Sequence, residues 1–479
     1  MSNGKLLWVD DEIELLKAHI LFLNSKGYEV VTVSNGTDAI EQCRQQTFDL
    51  ILLDEMMPGI TGLETLQRIK EISPATPVVM VTKSEEEDIM NQAIGQKIAD
   101  YLIKPVNPSQ ILLTLKKNIH QKEIVTEVTQ TGYQQNFMDI SMQIQDCRTF
   151  DDWKNVYRRL VHWELELSST ESSMTDILAS QKEEANSGFA RFVKDHYLNW
   201  VADMGKAPLM SPSVFKTKVF PLLDRGEKVF LIVIDNFRYD QWRVLAQEMA
   251  DLFDIDEDEE EGKNLNEAPL IQTQLDRYRR HHTFSYHKVN DSSGADRLLS
   301  QFQQLGQNDL NVVVVNFIDM LSHARTESKM VRELANNESA YRSITLSWFR
   351  HSAVSDIFKR LAQTDYKIII TTDHGSIRAS RPVKIIGDRN TNTNLRYKLG
   401  KNLNYNAKEV FAIRDPQRAF LPSPNLSTSY VFATGDAFFA YPNNYNYYVS
   451  YYKDTFQHGG ISMEEMLIPL VTLTPRKRN

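Results

Sequence analysis

Six side chains with oxygen or nitrogen donors recur beside apolar runs in the second half of this chain. Asp235 ends VFLIVID, Asp319 and His323 follow VVVVNF, Asp373 and His374 follow IIITT, and His458 opens HGG near the end. Most stand where a buried strand would stop. Together they supply three protein ligands for each of two metal ions. Imidazole beside carboxylate suits zinc or manganese better than magnesium. If residues 319–323 are helical, the i, i+4 spacing puts Asp319 and His323 on one face, able to hold one ion. Two ions about 4 Å apart clamp a phosphoryl group, so the pattern points to hydrolysis.

A second set lies in the first 120 residues: Asp10 and Asp11, Asp54 in DEMMPGITG, Thr82, and Lys104 before Pro105. Three carboxylates that converge repel each other unless a hard divalent cation sits among them. Magnesium there leaves Asp54 free to attack a phosphoryl donor. Lys104 would neutralise the transferred group and Thr82 would donate a hydrogen bond to it.

The elements that must position these residues are legible as patterns. LLWV, VVTV, LILL, VVMV and YLI read as five strands, separated by stretches of helical spacing such as Ile13, Leu16, Ile20 and Leu23. Such alternation implies a parallel sheet covered by helices, with chemistry beyond the carboxyl ends of the strands. Residues 123–208 are rich in Gln, Glu, Lys and Ser, with spaced Leu, Met and Trp, and read as a small all-α bundle. Trp153, Trp163 and Trp200 read as its core anchors. From 209 onward KVFLIVID, NVVVVNFID and YKIIITTDHG are continuous apolar runs, as in strands buried on both faces. The expected organisation is α/β: a flavodoxin-like domain at 1–122, a helical connector at 123–208, and a second α/β domain at 209–479.

The order DD, D-x-x-M-P-x-x-x-G, T and K-P resembles the response-regulator receiver family over about the first 120 residues. That resemblance implies that Asp54 accepts a phosphoryl group from a sensor histidine kinase. It implies that Asp10, Asp11, Asp54 and the Met56 backbone hold magnesium, and that Tyr101 is the switch aromatic. D-N-F-R-Y-D, D-x-x-x-H, D-H-G and the final H-G-G resemble the alkaline phosphatase superfamily, most closely its PglZ branch. There the resemblance implies one zinc on Asp319, His323 and His458 and another on Asp235, Asp373 and His374. The three parts in this order resemble response regulators of type IX secretion. This implies a sigma factor or a secretion component as partner, and a cytoplasmic protein. Phosphorylation is expected to shift the receiver surface around its fourth and fifth strands and to bring about dimerisation.

One segment departs from the phosphatase pattern. That superfamily attacks phosphorus with a threonine or serine shortly after the first aspartate, in a P-T-x-T-like stretch. Here Asp235 is followed by QEMADLFDIDEDEEEGKNLNEAPL, an acidic run that reads as solvated loop and as two chain ends joined across a missing stretch. Thr273 and Thr283 are the nearest threonines, and neither has the family's context, so no nucleophile is assigned. The basic stretch 277–288 could hold an anionic substrate, a phosphodiester or small nucleotide. The tyrosine-rich run 441–452 reads first as packing.

Composition narrows the classes. A chain of 479 residues is too long for one core, and 42% apolar residues is an ordinary globular value. A net charge of −9 argues against wrapping duplex DNA, and no helix-turn-helix signature suggests promoter reading. Two cysteines, Cys43 and Cys147, suggest a reduced compartment. No apolar run reaches the roughly 18 residues that span a bilayer. The competing class is a non-enzymatic interaction protein whose zinc shapes a surface for a partner.

Overall fold

The short apolar runs of the first 120 residues become β1 (Gly4–Val9), β2 (Tyr28–Val33), β3 (Leu50–Leu53), β4 (Val78–Thr82) and β5 (Asp100–Ile103). They pair in parallel in the order β2-β1-β3-β4-β5, the flavodoxin-like topology. The two faces of β1 and β3 divide by the period of two. Leu7, Val9, Ile51 and Leu53 meet α2 (Gly36–Gln45) and α3 (Gly62–Ile72), while Leu6, Trp8, Leu50 and Leu52 meet α1 (Lys17–Ser25) and α5 (Pro108–Ile119). The helix α4 (Glu87–Gly95) adds Ala93 to the first of these cores. Local chemistry starts the helices: Thr61 with Glu64, and Asn107 with Gln110 beside Pro108, form capping boxes.

This is a computed structural model that describes residues 3–83, 87–169, 174–261, 268–387, 391–423 and 427–476. The chain divides into two compact units, Met1–Thr131 and Gly132–Asn479. The long helix α6 (Gln121–Asp146) runs across that division in the sequence, followed by α7 (Phe150–Ser168) and α8 (Thr175–Ala202). Trp153 and Trp200 are buried, and Trp163 is partly buried against the same core.

In the second unit the three continuous apolar runs form β6 (Val229–Ile234), β9 (Leu310–Val315) and β10 (Lys367–Thr371). With β7 (Phe253–Glu261), β8 (Phe284–Val289) and a last strand, Leu467–Pro475, they build a six-stranded sheet. Its order is β7, Leu467–Pro475, β10, β6, β9, β8. Strands β10, β6, β9 and β8 are parallel neighbours, and Leu467–Pro475 runs antiparallel to β10 and β7. One face of β6, Phe230, Ile232 and Ile234, shares a single core with Trp153 and Leu160 of α7 and Phe189 and Val193 of α8. The other face, Val229, Leu231 and Val233, packs on Phe215, Phe220 and Leu275. The helices at 132–208 thus fold onto the sheet as part of its core. Smaller two- and three-stranded sheets follow β10.

The acidic run is a strand, not a loop. Residues 253–261 pair antiparallel with Leu467–Pro475 along nine positions, from Phe253↔Pro475 to Glu261↔Leu467. Pairing partner outweighs composition here: an edge strand keeps one side open to solvent, where charge is tolerated. Glu257 also accepts from Trp242 Nε1 at 2.9 Å, which ties this strand to the helix Tyr239–Met249.

Candidate metal centres and their setting

In the first unit the strand ends deliver the acidic set. Asp10 follows β1, Asp54 follows β3, Thr82 closes β4 and Lys104 follows β5. Carboxylate oxygens of Asp10, Asp11 and Asp54 lie within 4.8 Å of one another. Lys104 Nζ stands 2.7 Å from Asp10 Oδ2 and 2.8 Å from Asp54 Oδ2. Asp10 and Thr82 are fully buried, whereas Asp11 is exposed. Burial pushes the Asp54 carboxyl above its ordinary range, and this outweighs the pull of Lys104. Burial alone would lower Lys104, but its bonds to Asp10 and Asp54 prevail and raise it. The Met56 N–H reaches Asp54 Oδ1 at 3.5 Å, and Tyr101 lies half-buried on β5. Gly62 is required by space, since a Cβ there would come within 2.4 Å of the Asp54 carbonyl oxygen. An all-oxygen donor set with an excess of negative charge fits a hard cation such as magnesium.

In the second unit the six ligand candidates form two groups. Asp319, His323 and His458 offer atoms within 4.8 Å of one another, and so do Asp235, Asp373 and His374. Asp235 directly follows β6, and Asp373 and His374 follow β10. Asp319 is not at a strand end: it sits in the first turn of the helix Phe317–Glu327, which puts His323 one turn on along the same face. His323 Nε2 is 3.4 Å from Asp319 Oδ2, and His374 Nε2 is 3.6 Å from Asp373 Oδ2. The groups adjoin, for the His374 and His458 rings stack with centroids 4.0 Å apart. Burial, with Asp373 and Asp319 close by, pushes the Asp235 carboxyl up to about 8. Burial, with His374 beside it, drives His458 down to about 3. Crowded buried carboxylates drive Asp235 to hold a proton, burial keeps the His458 imidazole neutral and able to donate a lone pair, and the mixed nitrogen and oxygen donors fit borderline divalent ions.

Several residues that hold this site carry no signal in sequence spacing. Glu465 binds Arg396 Nε at 2.9 Å and Nη2 at 2.5 Å, both fully buried, and also accepts from the Gly460 N–H at 2.9 Å. This clamp fixes the loop that follows His458. Gly460 leaves room for it, since a Cβ would meet Arg396 Nη2 at 2.6 Å. From α8, Asn186 accepts from Met463 N at 2.8 Å and donates to Glu464 Oε2 at 2.9 Å. A fourth acidic group, Glu164, Asp240 and Glu338, is neutralised by Arg238, Arg342 and Lys182. It is a buried ion network joining α7 and α8 to the helices around the sheet. The doubled glycines after His458 hint at close packing, but long-range partners such as Asn186 leave no trace in spacing.

Thr273 and Thr283 stand away from the ligand groups. Thr273 is exposed and bonds the Pro269 carbonyl, and Thr283 bonds Asp309 at the amino end of β9, opposite the ligand-bearing ends. The hydroxyls beside the ligands are committed. Thr372 Oγ1 accepts from Phe237 N and donates to the His374 carbonyl oxygen, while Ser322 donates to Phe456 O. In the basic stretch, Arg280 pairs with Asp224 and the end of the stretch forms β8, whose Lys288 is the cation that acts on Asp235. The tyrosine run becomes a helix, Tyr445–Tyr452, with no fully buried residue.

Residues 214–254 and 248–473, together more than half of the chain, match the family described as BREX system PglZ alkaline phosphatase-like domain. The chain belongs to the PglZ alkaline phosphatase-like family. It also carries a response regulator receiver domain at residues 6–116 and matches the PorX response regulator linker domain at 123–201. Among curated proteins it is similar to the transcriptional regulatory protein ResD of Bacillus subtilis, at 34% identity over 28% of this chain and 52% of ResD. The transcriptional regulatory protein ZraR of Klebsiella oxytoca is 35% identical over 26% of this chain and 29% of ZraR. The chain thus spans about half of the first relative and under a third of the second. A solved structure of chemotaxis protein CheY4 from Vibrio cholerae is 30% identical, with a TM-score of 0.23, over 24% of this chain and 98% of that one. A CheY-like receiver from Methanospirillum hungatei is 26% identical, with a TM-score of 0.24, over 25% and 95%. Among the described residues no helix is long and apolar enough to cross a membrane.

Proposed function

We propose that this PglZ-family protein is a response regulator that takes a phosphoryl group on Asp54 and whose effector site binds a phosphodiester. The observation that supports this most is the assembly of two three-residue donor groups side by side at the effector sheet. In this reading the parts are a receiver at 1–122, a connector at 123–208 and a PglZ effector at 209–479. Asp10, Asp11 and Asp54, with the Met56 backbone, would hold magnesium. Asp235, Asp373 and His374 would hold one zinc, and Asp319, His323 and His458 the other. Bound zinc ions would supply Lewis acidity and an activated water for ester cleavage.

The chain's own residues do the rest. Lys104 offers the phosphoryl group on Asp54 a cation already in place, and Thr82 offers a hydroxyl. Tyr101 is the aromatic that would report phosphorylation. In the effector, the stacked His374 and His458 rings and the Arg396–Glu465 clamp hold the ligand loops, and Lys288 adds positive charge for an anionic ester. Partners in this reading are a sigma factor or a type IX secretion component. Phosphorylation drives dimerisation; light scattering with and without beryllofluoride tests that, and an unchanged mass removes it.

A second reading is favoured by the committed hydroxyls: among the described residues Thr372 and Ser322 are bonded and Thr273 and Thr283 lie elsewhere. The site then binds zinc and shapes a surface without turnover. Hydrolysis of bis-p-nitrophenyl phosphate by zinc-loaded protein decides between them. A rate that falls in His323→Ala supports the esterase; equal rates in both leave the scaffold.

A further inference from the structure

Asn236 touches both donor groups. It directly follows Asp235 and holds φ at +62°, a left-handed conformation that asparagine adopts more readily than most residues with a Cβ. From that turn its backbone N–H donates to Asp373 Oδ1 at 3.3 Å, in one group. Its side-chain Nδ2 donates to Asp319 Oδ1 at 3.4 Å, in the other. The residue is fully buried, and its own Oδ1 has no hydrogen-bond partner.

These contacts sort the carboxylate oxygens. In Asp319, Oδ1 accepts from Asn236 and also lies 3.9 Å from His458 Nε2, while Oδ2 faces His323 at 3.4 Å. In Asp373, Oδ1 accepts from the N–H groups of Asn236 and His374 and lies 3.3 Å from the Thr372 hydroxyl, and Oδ2 faces the His374 ring at 3.6 Å. Each aspartate therefore has one oxygen anchored on the Asn236 turn and the other directed to a histidine of its own group. Stability does not account for the asparagine. Glycine would take this backbone without burying an unbonded amide oxygen, which carries a free-energy cost.

Resting on the two-metal reading above, we propose that Asn236 is a positioning residue that couples the two metal groups. One turn sets both carboxylates, so filling one group orders the turn and prepares the other.

Cobalt(II), a visible-absorbing probe for such sites, tests this on the full-length protein. With magnesium in excess to fill the receiver site, the wild type is expected to bind two cobalt ions per chain in a single steep isotherm. Asn236→Gly keeps the left-handed turn and its backbone bond to Asp373 but removes the bridge to Asp319. It should fold with an unreduced melting temperature, bind the second ion about tenfold or more weakly, and change the cobalt absorption, in line with lost outer-shell partners. A glycine variant that matches the wild type in stoichiometry, steepness and spectrum overturns the coupling while leaving the two-metal reading intact. A wild type that binds fewer than two ions overturns both.

Discussion

In the receiver, Lys104 contacts two of the three carboxylates, so that site already contains a cation before any ion arrives. In the effector, Asp235, Asp319 and Asp373 meet histidines, and one of these, His458, is held neutral by burial. The receiver site offsets part of its like charge with Lys104, although burial still leaves Asp54 above its ordinary range; the effector site has more unrelieved like charge, which Asp235 answers by holding a proton to about pH 8. The contrast suits their proposed work. A phosphoacceptor must stay ionised and reactive between phosphorylation events. In the metal clamp, divalent ions would relieve the like charge of the carboxylates that the fold already holds together.

The contrast can be broken at either end. The largest effect expected is complete: Asp54→Asn should abolish phosphorylation by acetyl phosphate, read by intact mass, while cobalt binding by the effector stays at the wild-type level. A loss of cobalt binding in that variant would show that the two sites are not separate. Next, His458→Ala should leave one ion of two after gel filtration, by metal analysis, with its own group weakened about 100-fold or more and phosphorylation of Asp54 unchanged. Glu465→Ala leaves the buried Arg396 charge without its carboxylate, bonded to the Ala437 carbonyl, and should cost about 3–5 kcal/mol in the urea transition of the second unit. Retention of wild-type stability would mean that the clamp is solvated and does not fix the loop.

The smallest effect concerns pH. Burial alone would raise Glu164 and Asp240, but Lys182 and Arg342 around the first, and Arg238 and Arg342 around the second, hold both below the usual carboxylate range. A folded-state value below the unfolded one, about 4, means that the stability they contribute is present in full above that pH and is lost as pH falls through the folded values. Urea midpoints of the second unit should therefore fall between pH 5 and pH 3, and Glu164→Gln should flatten that fall. A midpoint slope unaltered by the substitution would assign acid sensitivity to other groups.

How much of this could be read in the chain follows the same division. In the receiver, each functional residue follows or ends its own strand, so pattern and chemistry coincide in Asp10, Asp54, Thr82 and Lys104. The five strands are those the apolar runs imply, whereas their order in the sheet comes from pairings the runs do not state. In the effector, Asp319 and His323 were legible because a helix repeats every 3.6 residues. Arg396 with Glu465, Asn186 with Glu464, and Asn236 with Asp319 were not, because contacts of that reach depend on the fold and leave no spacing in sequence. The run 254–261 misleads for a related reason: its acids predict a loop, but the partner strand 200 residues away makes it β-structure.

That acidic strand also bears on behaviour in concentrated solution. It lies at an outer margin of the six-stranded sheet, with one row of backbone donors and acceptors unclaimed by any neighbouring strand of that sheet. Such a row is a template on which a second molecule could pair and polymerise. Seven of its nine residues are acidic in sequence, and like charges placed opposite one another disfavour pairing with a second copy near neutral pH. Acidification would discharge that fence, and turbidity should then rise before the core unfolds.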